Sequence, residues 1–258
     1  MLNPTAFIIN AAAPLPKITE YQRYLFIGPH PDDIEIGAGA TAARLAAEGK
    51  QICFLICTDG RYGTDEMAEP VAPEELAERR RNEALSSAAM LGVKDVRFLN
   101  FCDGGFYAVD DMIASMAEVI GDFQPDVVFA PDPDVSSECH IDHLNVGRAA
   151  KQLALFSENS GIMERYGAGP ASVHLLALYM TAKVSQYVGT TGYMEKQLSA
   201  LFDCHNSQFP AGSSSAKSIR TYLKLRATDF GVRSRHKTAE GFRILDRTRM
   251  HCLPEAGN

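Results

Sequence analysis

Residues 24–37 read YLFIGPHPDDIEIG, an apolar run that ends in a turn rich in charge. Residues 24–28 have the length and composition of a buried strand. A helix is predicted over residues 36–48, with Gly49 as its C-terminal cap. Residues 51–57 form a second, continuously apolar run, which is typical of a strand buried on both faces of a parallel sheet. The order strand, helix, strand predicts an α/β fold.

The same alternation continues farther along the chain. Pro73 opens a predicted helix with Glu74 and Glu75 in its first turn, where they complement the helix dipole, and Gly92 marks its end. Further strands are predicted at residues 96–99, 126–130 and 173–180, and further helices at residues 111–122 and 143–156. We therefore expect a Rossmann-like, mostly parallel sheet flanked by helices.

The two ends of the chain are expected to be less regular. Residues 1–23 contain Pro4, Pro14 and Pro16, and they are predicted to form an extended N-terminal arm on the body or on a neighbouring subunit. Residues 24–258 are predicted to form a single domain. Its C-terminal third, with a helix near residues 195–204, is expected to be an irregular extension packed on the sheet.

Composition narrows the possible partners. The formal net charge is −7, which argues against nucleic acid and anionic membranes because both require a basic surface. No apolar segment reaches the roughly 18 residues of a membrane span, and the N-terminus lacks the pattern of a signal peptide. The six cysteines are scattered, as expected for reduced thiols. A cytoplasmic protein with a small-molecule substrate is therefore predicted.

Side chains suited to chemistry follow the predicted strands. In open parallel sheets, ligands bind beyond the carboxyl ends of the strands, so residues at these positions are expected to converge. The polar residues found there are His30, Asp32, Asp33, Asp59, Asp103, His140, Asp142 and His143.

This set contains the ligands of a catalytic zinc site, which needs three imidazole or carboxylate ligands and an open position for water. His30, Asp33 and His143 are predicted to hold one Zn²⁺ per chain. Zinc acidifies a bound water to a pKa of about 7, and Asp32 is placed to take the proton. His140 is the candidate for a cation at the oxyanion or a proton donor to the leaving amine. Alone, an Asp pair after a strand is commonly a helix cap, but both motifs follow strands of one sheet, which favours the metal site.

These residues occur in two recognisable motifs. Residues 29–37 match the form (A/P)-H-P-D-D-x-E-I-G, and residues 140–143 match H-x-D-H. With this order and spacing, the sequence resembles the PIG-L/LmbE-like zinc-dependent N-deacetylases, a family that includes N-acetylglucosaminyl-phosphatidylinositol deacetylase and the deacetylases of mycothiol and bacillithiol synthesis. The resemblance implies hydrolysis of the acetamide of an N-acetylglucosamine-type amino sugar or conjugate, with a thiol-sugar conjugate as the alternative substrate.

The resemblance also implies roles for individual residues. It assigns His30, Asp33 and His143 as the zinc ligands and Asp32 as the base. It also assigns His140 to the oxyanion or the leaving amine, with Asp142 orienting the His140 ring. Arg80 and Glu83 resemble an R-x-x-E helix whose Arg contacts the sugar, and Asp103 matches an Asp that binds sugar hydroxyls. Residues 196–208 and 239–242 resemble two further family segments. Relatives assemble as trimers or hexamers, which implies a homo-oligomer.

Two positions beside the second motif depart from the family. Glu138 stands where some relatives carry a Tyr, which puts a Tyr contact to the oxyanion in doubt. Cys139 is either a soft metal contact or an inert small side chain, and the second interpretation is favoured.

Three other functions are considered. A nucleotide-binding module is suggested by Gly37 and Gly39 at a helix start, but the third glycine of the motif is absent and Asp32, Asp33 and Glu35 would repel a pyrophosphate. Two His and one carboxylate also hold Fe(II) in oxygenases, although those sites usually lie in antiparallel barrels. A non-catalytic sugar binder is disfavoured because Asp32 is present.

Overall fold

A computed structural model describes residues 4–64, 71–253 and 255 of the protein. Named in chain order, its strands are β1 Arg23–Gly28, β2 Gln51–Thr58, β3 Asp95–Phe101, β4 Val127–Pro131, β5 Leu175–Tyr179, β6 Gln186–Gly189 and β7 Ala239–Leu245. Its helices are α1 Pro4–Ala12, α2 Asp33–Ala47, α3 Pro73–Leu91, α4 Val109–Phe123, α5 Ile141–Phe156, α6 Ser160–Arg165, α7 Met194–Ser199, α8 Ser214–Ser234 and α9 Arg247–His251.

The strands form one seven-stranded sheet in the order β3-β2-β1-β4-β5-β7-β6. The first five strands pair in parallel, and β7 runs antiparallel to both β5 and β6. The predicted Rossmann-like, mostly parallel α/β fold is confirmed. The C-terminal third is more regular than expected, because it supplies two strands of this sheet and the long helix α8.

Side chains of the central strands alternate between the two faces of the sheet. Tyr24 and Phe26 of β1 pack with α2 and α3 on one face, whereas Leu25 and Ile27 pack with α4 and α5 on the other. Both faces are covered, which is why the central strands read as continuous apolar runs rather than alternating ones. The site therefore rests on a rigid three-layer scaffold.

Helix α2 bends at Ala38, whose backbone angles (φ −152°, ψ 16°) are not helical. The amides of Ala40 and Thr41, just beyond the bend, donate hydrogen bonds of 3.2 and 2.7 Å to the Glu240 carboxylate of β7. Gln197 donates to the same carboxylate and to the carbonyl of Glu35. Glu240 thus caps the second half of α2 from the last strand, since orphan amides at a helix start need an acceptor.

The glycines of α2 allow close packing. A Cβ on Gly37 would lie 2.2 Å from the ring of Tyr179, which is fully buried and donates its hydroxyl to the carbonyl of Ile27. A Cβ on Gly39 would lie 3.0 Å from the side chain of Gln197. Packing of the helix against its neighbours therefore explains both glycines, and it leaves no reason to assign them to a phosphate.

The N-terminal arm is not fully extended. Pro4 occupies the first position of α1, where proline is compatible with a helix because its missing N–H has no intrahelical partner. Arg249 of α9 donates to the side chain of Asn10 and to the carbonyl of Ala13, and so holds the arm to the body. Among the described helices, none combines the length and the apolar character needed to cross a membrane.

Candidate active site

The candidate site lies where the strand order of the sheet reverses. From β1 the chain continues to β2 on one side, whereas β4 lies on the other side of β1. The turn after β1 carries His30 and Asp33, and the connection after β4 leads to His140 and His143 at the start of α5. A crevice beyond the carboxyl ends of two diverging strands is the usual ligand position in such sheets.

Three predicted ligands meet in this crevice. Oδ2 of Asp33 lies 3.0 Å from Nδ1 of His30 and 3.4 Å from Nε2 of His143, and all three side chains are nearly buried. Tetrahedral zinc with bonds of about 2.0–2.1 Å would place its ligand atoms roughly 3.3 Å apart. The two distances fall on either side of that value. The donor set and its spacing therefore fit a metal ion.

The remaining ring nitrogens differ in their partners. Nε2 of His30 lies 3.0 Å from Oδ2 of Asp142. Nδ1 of His143 is buried without a hydrogen bond from the described residues, although Oε2 of Glu138 lies 3.2 Å away at an unfavourable angle.

Asp142 is a fully buried carboxylate with four donors. Besides His30, it accepts hydrogen bonds from the amides of Gly104 and Gly105 at 2.7 and 2.9 Å and from the Tyr107 hydroxyl at 2.8 Å. Burial alone would raise the pKa of Asp142, but these bonds, above all that with His30, lower it to about 2. The Asp142 carboxylate lies 3.8 Å from the ring of His140. The carboxylate of Asp142 thus bonds to His30, whereas the contact of Asp142 with His140 is through its backbone amide.

Burial and the neighbouring charges act in opposite directions on the side chains of this cluster. Burial opposes the charge on His30, but hydrogen bonds to Asp142 and Asp33 raise its pKa to about 10. Burial acts to raise the pKa of Asp33, yet the neighbouring imidazoles of His143 and His30 bring it well below its usual range. Two carboxylates thus flank the His30 imidazole. A divalent cation bound there would require the imidazoles to be neutral.

Asp32 has an unusual backbone and side chain. Its φ is +125°, a value that residues other than glycine rarely adopt. It stands at the N-cap of α2 but makes no side-chain capping bond. Instead, Oδ2 lies 3.3 Å from Nη2 of Arg80. Strain of this kind is concentrated at functional sites, and Asp32 is therefore not the ordinary helix cap that an Asp pair can represent.

The pKa of Asp32 suits proton transfer. Burial is the largest influence and raises the pKa, Arg80 lowers it, and Asp33 raises it again, with a result of about 6. A carboxylate with this pKa is ionised at neutral pH and is a stronger base than an exposed one.

His140 is partly exposed at the edge of the site. Its Nδ1 accepts a hydrogen bond of 3.3 Å from the amide of Asp142, which leaves the proton on Nε2 when the ring is neutral. Burial and the neighbouring imidazoles of His30 and His143 lower its pKa. In its neutral form the ring therefore has a hydrogen-bond donor at Nε2.

The two unusual neighbours of His140 have different surroundings. Glu138 accepts a hydrogen bond of 2.8 Å from the amide of His140, so it supports the loop between β4 and α5. Cys139 is exposed, and its thiol contacts the carbonyl of Ser137. Two groups of described residues could hold a metal, one of His30, Asp33 and His143 and one of His30, His140 and Asp142, and Cys139 belongs to neither.

A cavity of about 330 Å³ opens directly above these groups. Its lining includes His30 and Asp33 of the ligand set, Asp32, and both predicted sugar contacts, Arg80 and Asp103. Arg80 is almost buried and donates to the carbonyls of Gly60 and Pro31 at 3.0 and 2.9 Å. The Asp103 carboxylate accepts the amide of Tyr62.

Tyr62 and Gln208 also line this cavity, although the sequence did not single out either residue. Tyr62 follows β2 in a loop that contains none of the motif residues. Gln208 donates a hydrogen bond of 2.6 Å to the carbonyl of Gly63. The family-like segment at residues 196–208 contained Gln208 but gave no indication of its place.

Two hydrogen-bonded groups of polar residues behind the cavity hold α3 and α2 to the C-terminal third. Glu83 accepts the amide and hydroxyl of Ser207 at 2.9 and 2.6 Å. Nε2 of His205 lies 3.4 Å from Oε1 of Glu35, which also accepts the hydroxyl of Ser87. Glu83 thus bonds to Ser207 and is not among the residues that line the cavity.

Comparison with known proteins gives a consistent result. Residues 25–154 match the family model PIG-L, described as GlcNAc-PI de-N-acetylase. The diacetylchitobiose deacetylase of Thermococcus kodakarensis is 32% identical over 242 residues, which cover 92% of this chain and 88% of that protein. The solved structure of N,N'-diacetylchitobiose deacetylase from Pyrococcus horikoshii, in complex with an inhibitor, is similar with a TM-score of 0.82 and 31% identity over 98% of this chain and 97% of that chain.

A second group of relatives matches over a shorter range. The 1D-myo-inositol 2-acetamido-2-deoxy-alpha-D-glucopyranoside deacetylase of Kineococcus radiotolerans is 31% identical over 191 residues. The match covers 62% of this chain and 52% of that protein. The chain therefore spans about half the length of this relative.

Proposed function

The chain belongs to the PIG-L family of N-deacetylases, and from this we propose that it is a zinc-dependent hydrolase that removes the acetyl group from an N-acetylglucosamine-type sugar. The observation that carries the proposal is the position of Asp33, 3.0 Å from His30 and 3.4 Å from His143, with Asp32 in the same cavity. The side chains of His30, Asp33 and His143 can hold a cation there, and the neighbouring Asp32 can accept a proton.

His30, Asp33 and His143 are the proposed zinc ligands. When bound, zinc supplies Lewis-acid chemistry, since it polarises the amide carbonyl and acidifies a water molecule. Asp142 is a positioning residue, because its bond to Nε2 of His30 leaves Nδ1 facing Asp33. Such carboxylate–histidine pairs fix the tautomer and the ring orientation of metal ligands.

Asp32 is the proposed general base. Its carboxylate is ionised above about pH 6 and takes a proton from the attacking water. Arg80 acts on this step through Asp32, because the 3.3 Å contact orients the carboxylate and favours its ionised form. The contact of Arg80 with sugar remains a prediction.

His140 is proposed to donate a hydrogen bond from Nε2 to the carbonyl oxygen as negative charge develops there. Its Nδ1 is already occupied by the amide of Asp142, so the free proton faces away from the helix start. A donor aimed at the developing charge is typically a large contribution to catalysis. This assignment favours an uncharged role over the cationic one.

The proposed substrate follows from the relatives and from the cavity. Relatives act on diacetylchitobiose and on an inositol-linked 2-acetamidoglucose, which share the N-acetylglucosamine unit. Asp103 in the cavity wall is a carboxylate suited to sugar hydroxyls. We take one such unit as the group bound above the metal cluster, in a homo-oligomer whose size stays a prediction.

We further propose that residues 24–258 act as one domain. Support comes from β7, which pairs with β5 of the same sheet and caps α2 through Glu240. A cytoplasmic location is supported by Cys53 and Cys57, two buried thiols whose pKa values burial raises.

Acetate release is the direct test. The protein is stripped with a chelator, and acetate is measured with and without added zinc on N-acetylglucosamine, diacetylchitobiose and the inositol-linked sugar. We expect zinc-dependent release from at least one of them. Oxygen uptake with 2-oxoglutarate and iron, or zinc binding without acetate release from any of the three, would reject hydrolysis.

A further inference from the structure

Tyr107 connects the loop after β3 to the carboxylate behind the metal cluster. Its hydroxyl donates a hydrogen bond of 2.8 Å to Oδ1 of Asp142, whereas Oδ2 of the same carboxylate lies 3.0 Å from Nε2 of His30. Tyr107 belongs to neither sequence motif, and it is not among the residues that line the cavity. An effect of this hydroxyl on the metal cluster therefore passes through Asp142.

The direction of the Tyr107 hydroxyl is set by Asn145 of α5. Nδ2 of Asn145 donates a hydrogen bond of 3.3 Å to the hydroxyl oxygen. Because an amide nitrogen is a donor, this contact occupies an acceptor position of the hydroxyl and leaves its proton for Asp142. Burial is the largest cause of a raised pKa at Tyr107, so the hydroxyl keeps this proton at neutral pH. Tyr107 is thus a fixed donor to the carboxylate.

The ring of Tyr107 is held by apolar packing. It packs against the hydrophobic cluster on the α4 and α5 side of the sheet, and its centroid lies 5.7 Å from that of Phe101 at the end of β3. A phenylalanine at this position would keep these contacts and remove the hydroxyl. The contribution of the hydroxyl can therefore be separated from that of the ring.

The orientation of the Asp142 carboxylate matters because two imidazoles lie near it. Its Oδ2 lies 3.0 Å from Nε2 of His30 and 3.8 Å from Nδ1 of His140. The described residues also contain two groups that could hold a metal, one that includes Asp33 and one that includes Asp142 itself. A rotation of the carboxylate away from His30 would release the tautomer of that ring, which the contact fixes.

Donors from two parts of the fold oppose this rotation. The amides of Gly104 and Gly105, in the loop after β3, donate to Oδ2 and Oδ1 of Asp142 at 2.7 and 2.9 Å. The Tyr107 hydroxyl adds a second donor at Oδ1, and its own partner Asn145 lies on α5. The carboxylate is thus tied both to the loop and, through Tyr107, to the helix that carries the second motif.

Resting on the proposed function, we propose that Tyr107, directed by Asn145, is a positioning residue for zinc. Its hydroxyl holds the Asp142 carboxylate on Nε2 of His30, which keeps Nδ1 of that ring free for the metal. Loss of a hydrogen-bonded partner behind a metal ligand typically costs about 10- to 100-fold in metal affinity or activity. Tyr107 stands one step farther from the metal than Asp142, so we place its effect at the lower end of that range.

The test measures zinc affinity by competition with a chromophoric chelator. We expect Tyr107→Phe to bind zinc about tenfold more weakly than the unaltered protein, and the absorption bands of bound Co²⁺, which report ligand geometry, should also change. Excess zinc should restore most of its acetate release, because the groups in the cavity are unaltered. Asn145→Ala should weaken zinc binding less. The double variant should match Tyr107→Phe within about twofold, because Asn145 acts through the hydroxyl.

Tyr166→Phe is the matched control. Tyr166 packs against the same hydrophobic cluster, and its hydroxyl accepts a hydrogen bond of 2.7 Å from Gln152 rather than bonding to Asp142. Its zinc affinity and Co²⁺ spectrum should be unchanged. Equal zinc affinities in the unaltered protein and Tyr107→Phe, or an equal loss in Tyr107→Phe and Tyr166→Phe, would overturn the positioning role. Zinc affinities in the expected order without acetate release from any sugar would overturn the proposed hydrolysis and leave the role of Tyr107 in metal binding.

Discussion

The Asp142 carboxylate lies 3.0 Å from Nε2 of His30, while Nδ1 of the same ring lies 3.0 Å from Asp33. One imidazole thus separates two carboxylates with different roles. Asp142 is fully buried, and it also accepts hydrogen bonds from Gly104, Gly105 and Tyr107. Asp33 is the carboxylate that also approaches His143.

Asp142→Asn should weaken zinc binding about 10- to 100-fold, because an amide holds the His30 tautomer less firmly. Competition with a chromophoric chelator measures the affinity. Asp126→Asn is the control, since Asp126 accepts two backbone amides at the start of β1, away from the cluster. Equal affinities in all three proteins would contradict the positioning role.

Asp32→Asn should lower kcat by at least about 100-fold, the usual contribution of a general base. Zinc content should remain at one per chain because Asp32 is not among the ligand atoms that cluster. Metal analysis and acetate release on the same sample provide the measurement. Near-normal turnover would remove Asp32 as the base.

Arg80→Gln should move the acidic limb of the kcat/KM profile to higher pH. The base is active when ionised, so the rate rises as pH passes the pKa of Asp32. Burial raises this pKa and Arg80 lowers it, with a result of about 6. Removal of the guanidinium removes the lowering effect, so the pKa of Asp32 should increase. Arg79→Gln, which changes an exposed neighbour paired with Glu75, should leave the limb in place. A limb that shifts to lower pH would contradict the contact.

His140→Ala and His143→Ala should separate two possible ligand sets. His140 also lies within ligand distance of His30 and Asp142. We expect His143→Ala to lose zinc, whereas His140→Ala keeps zinc and loses about 10²–10³-fold in kcat, as for an oxyanion donor. Zinc loss in His140→Ala with retention in His143→Ala would reverse the assignment.

Gly37→Ala should reduce the free energy of unfolding by about 1–3 kcal/mol, because the added methyl group overlaps the buried ring of Tyr179. Gly169→Ala is the matched change, since a Cβ there meets no atom within 4 Å; its effect should stay within about 0.5 kcal/mol. Denaturant unfolding of the three proteins gives the comparison. Similar values for both variants would show that the helix can move away from Tyr179.

Local sequence patterns predicted β1, β2, β4 and β5 because these strands are almost entirely buried, and they also predicted β3, the partly exposed edge strand. They placed β1 within one residue of its observed start at Arg23. The two later strands were missed for a physical reason. β6 has four residues, and β7 includes Glu240 and Arg243, two charged residues that bond to groups far away in sequence.

Contacts between residues far apart in sequence also limit what could be predicted of the site. The ligand set could be proposed from sequence, since His and Asp residues after parallel strands must converge. The partner of Asp142 could not, because a residue two positions from His140 in sequence contacts a ring 112 positions away. The contact between Tyr62 and Phe106 could not be predicted either, because it depends on two turns meeting in space.

Glu240 reaches back 200 residues to the amide of Ala40, and this has a consequence for biosynthesis. A nascent chain acquires all three proposed ligands by residue 143 but cannot cap the bend of α2 until β7 has emerged and inserted beside β5. Contacts so distant in sequence slow the final step of folding. A fragment that ends at residue 154 would therefore carry every ligand and still hold them poorly, so trimming the chain to its motif-bearing half should not yield a minimal catalyst.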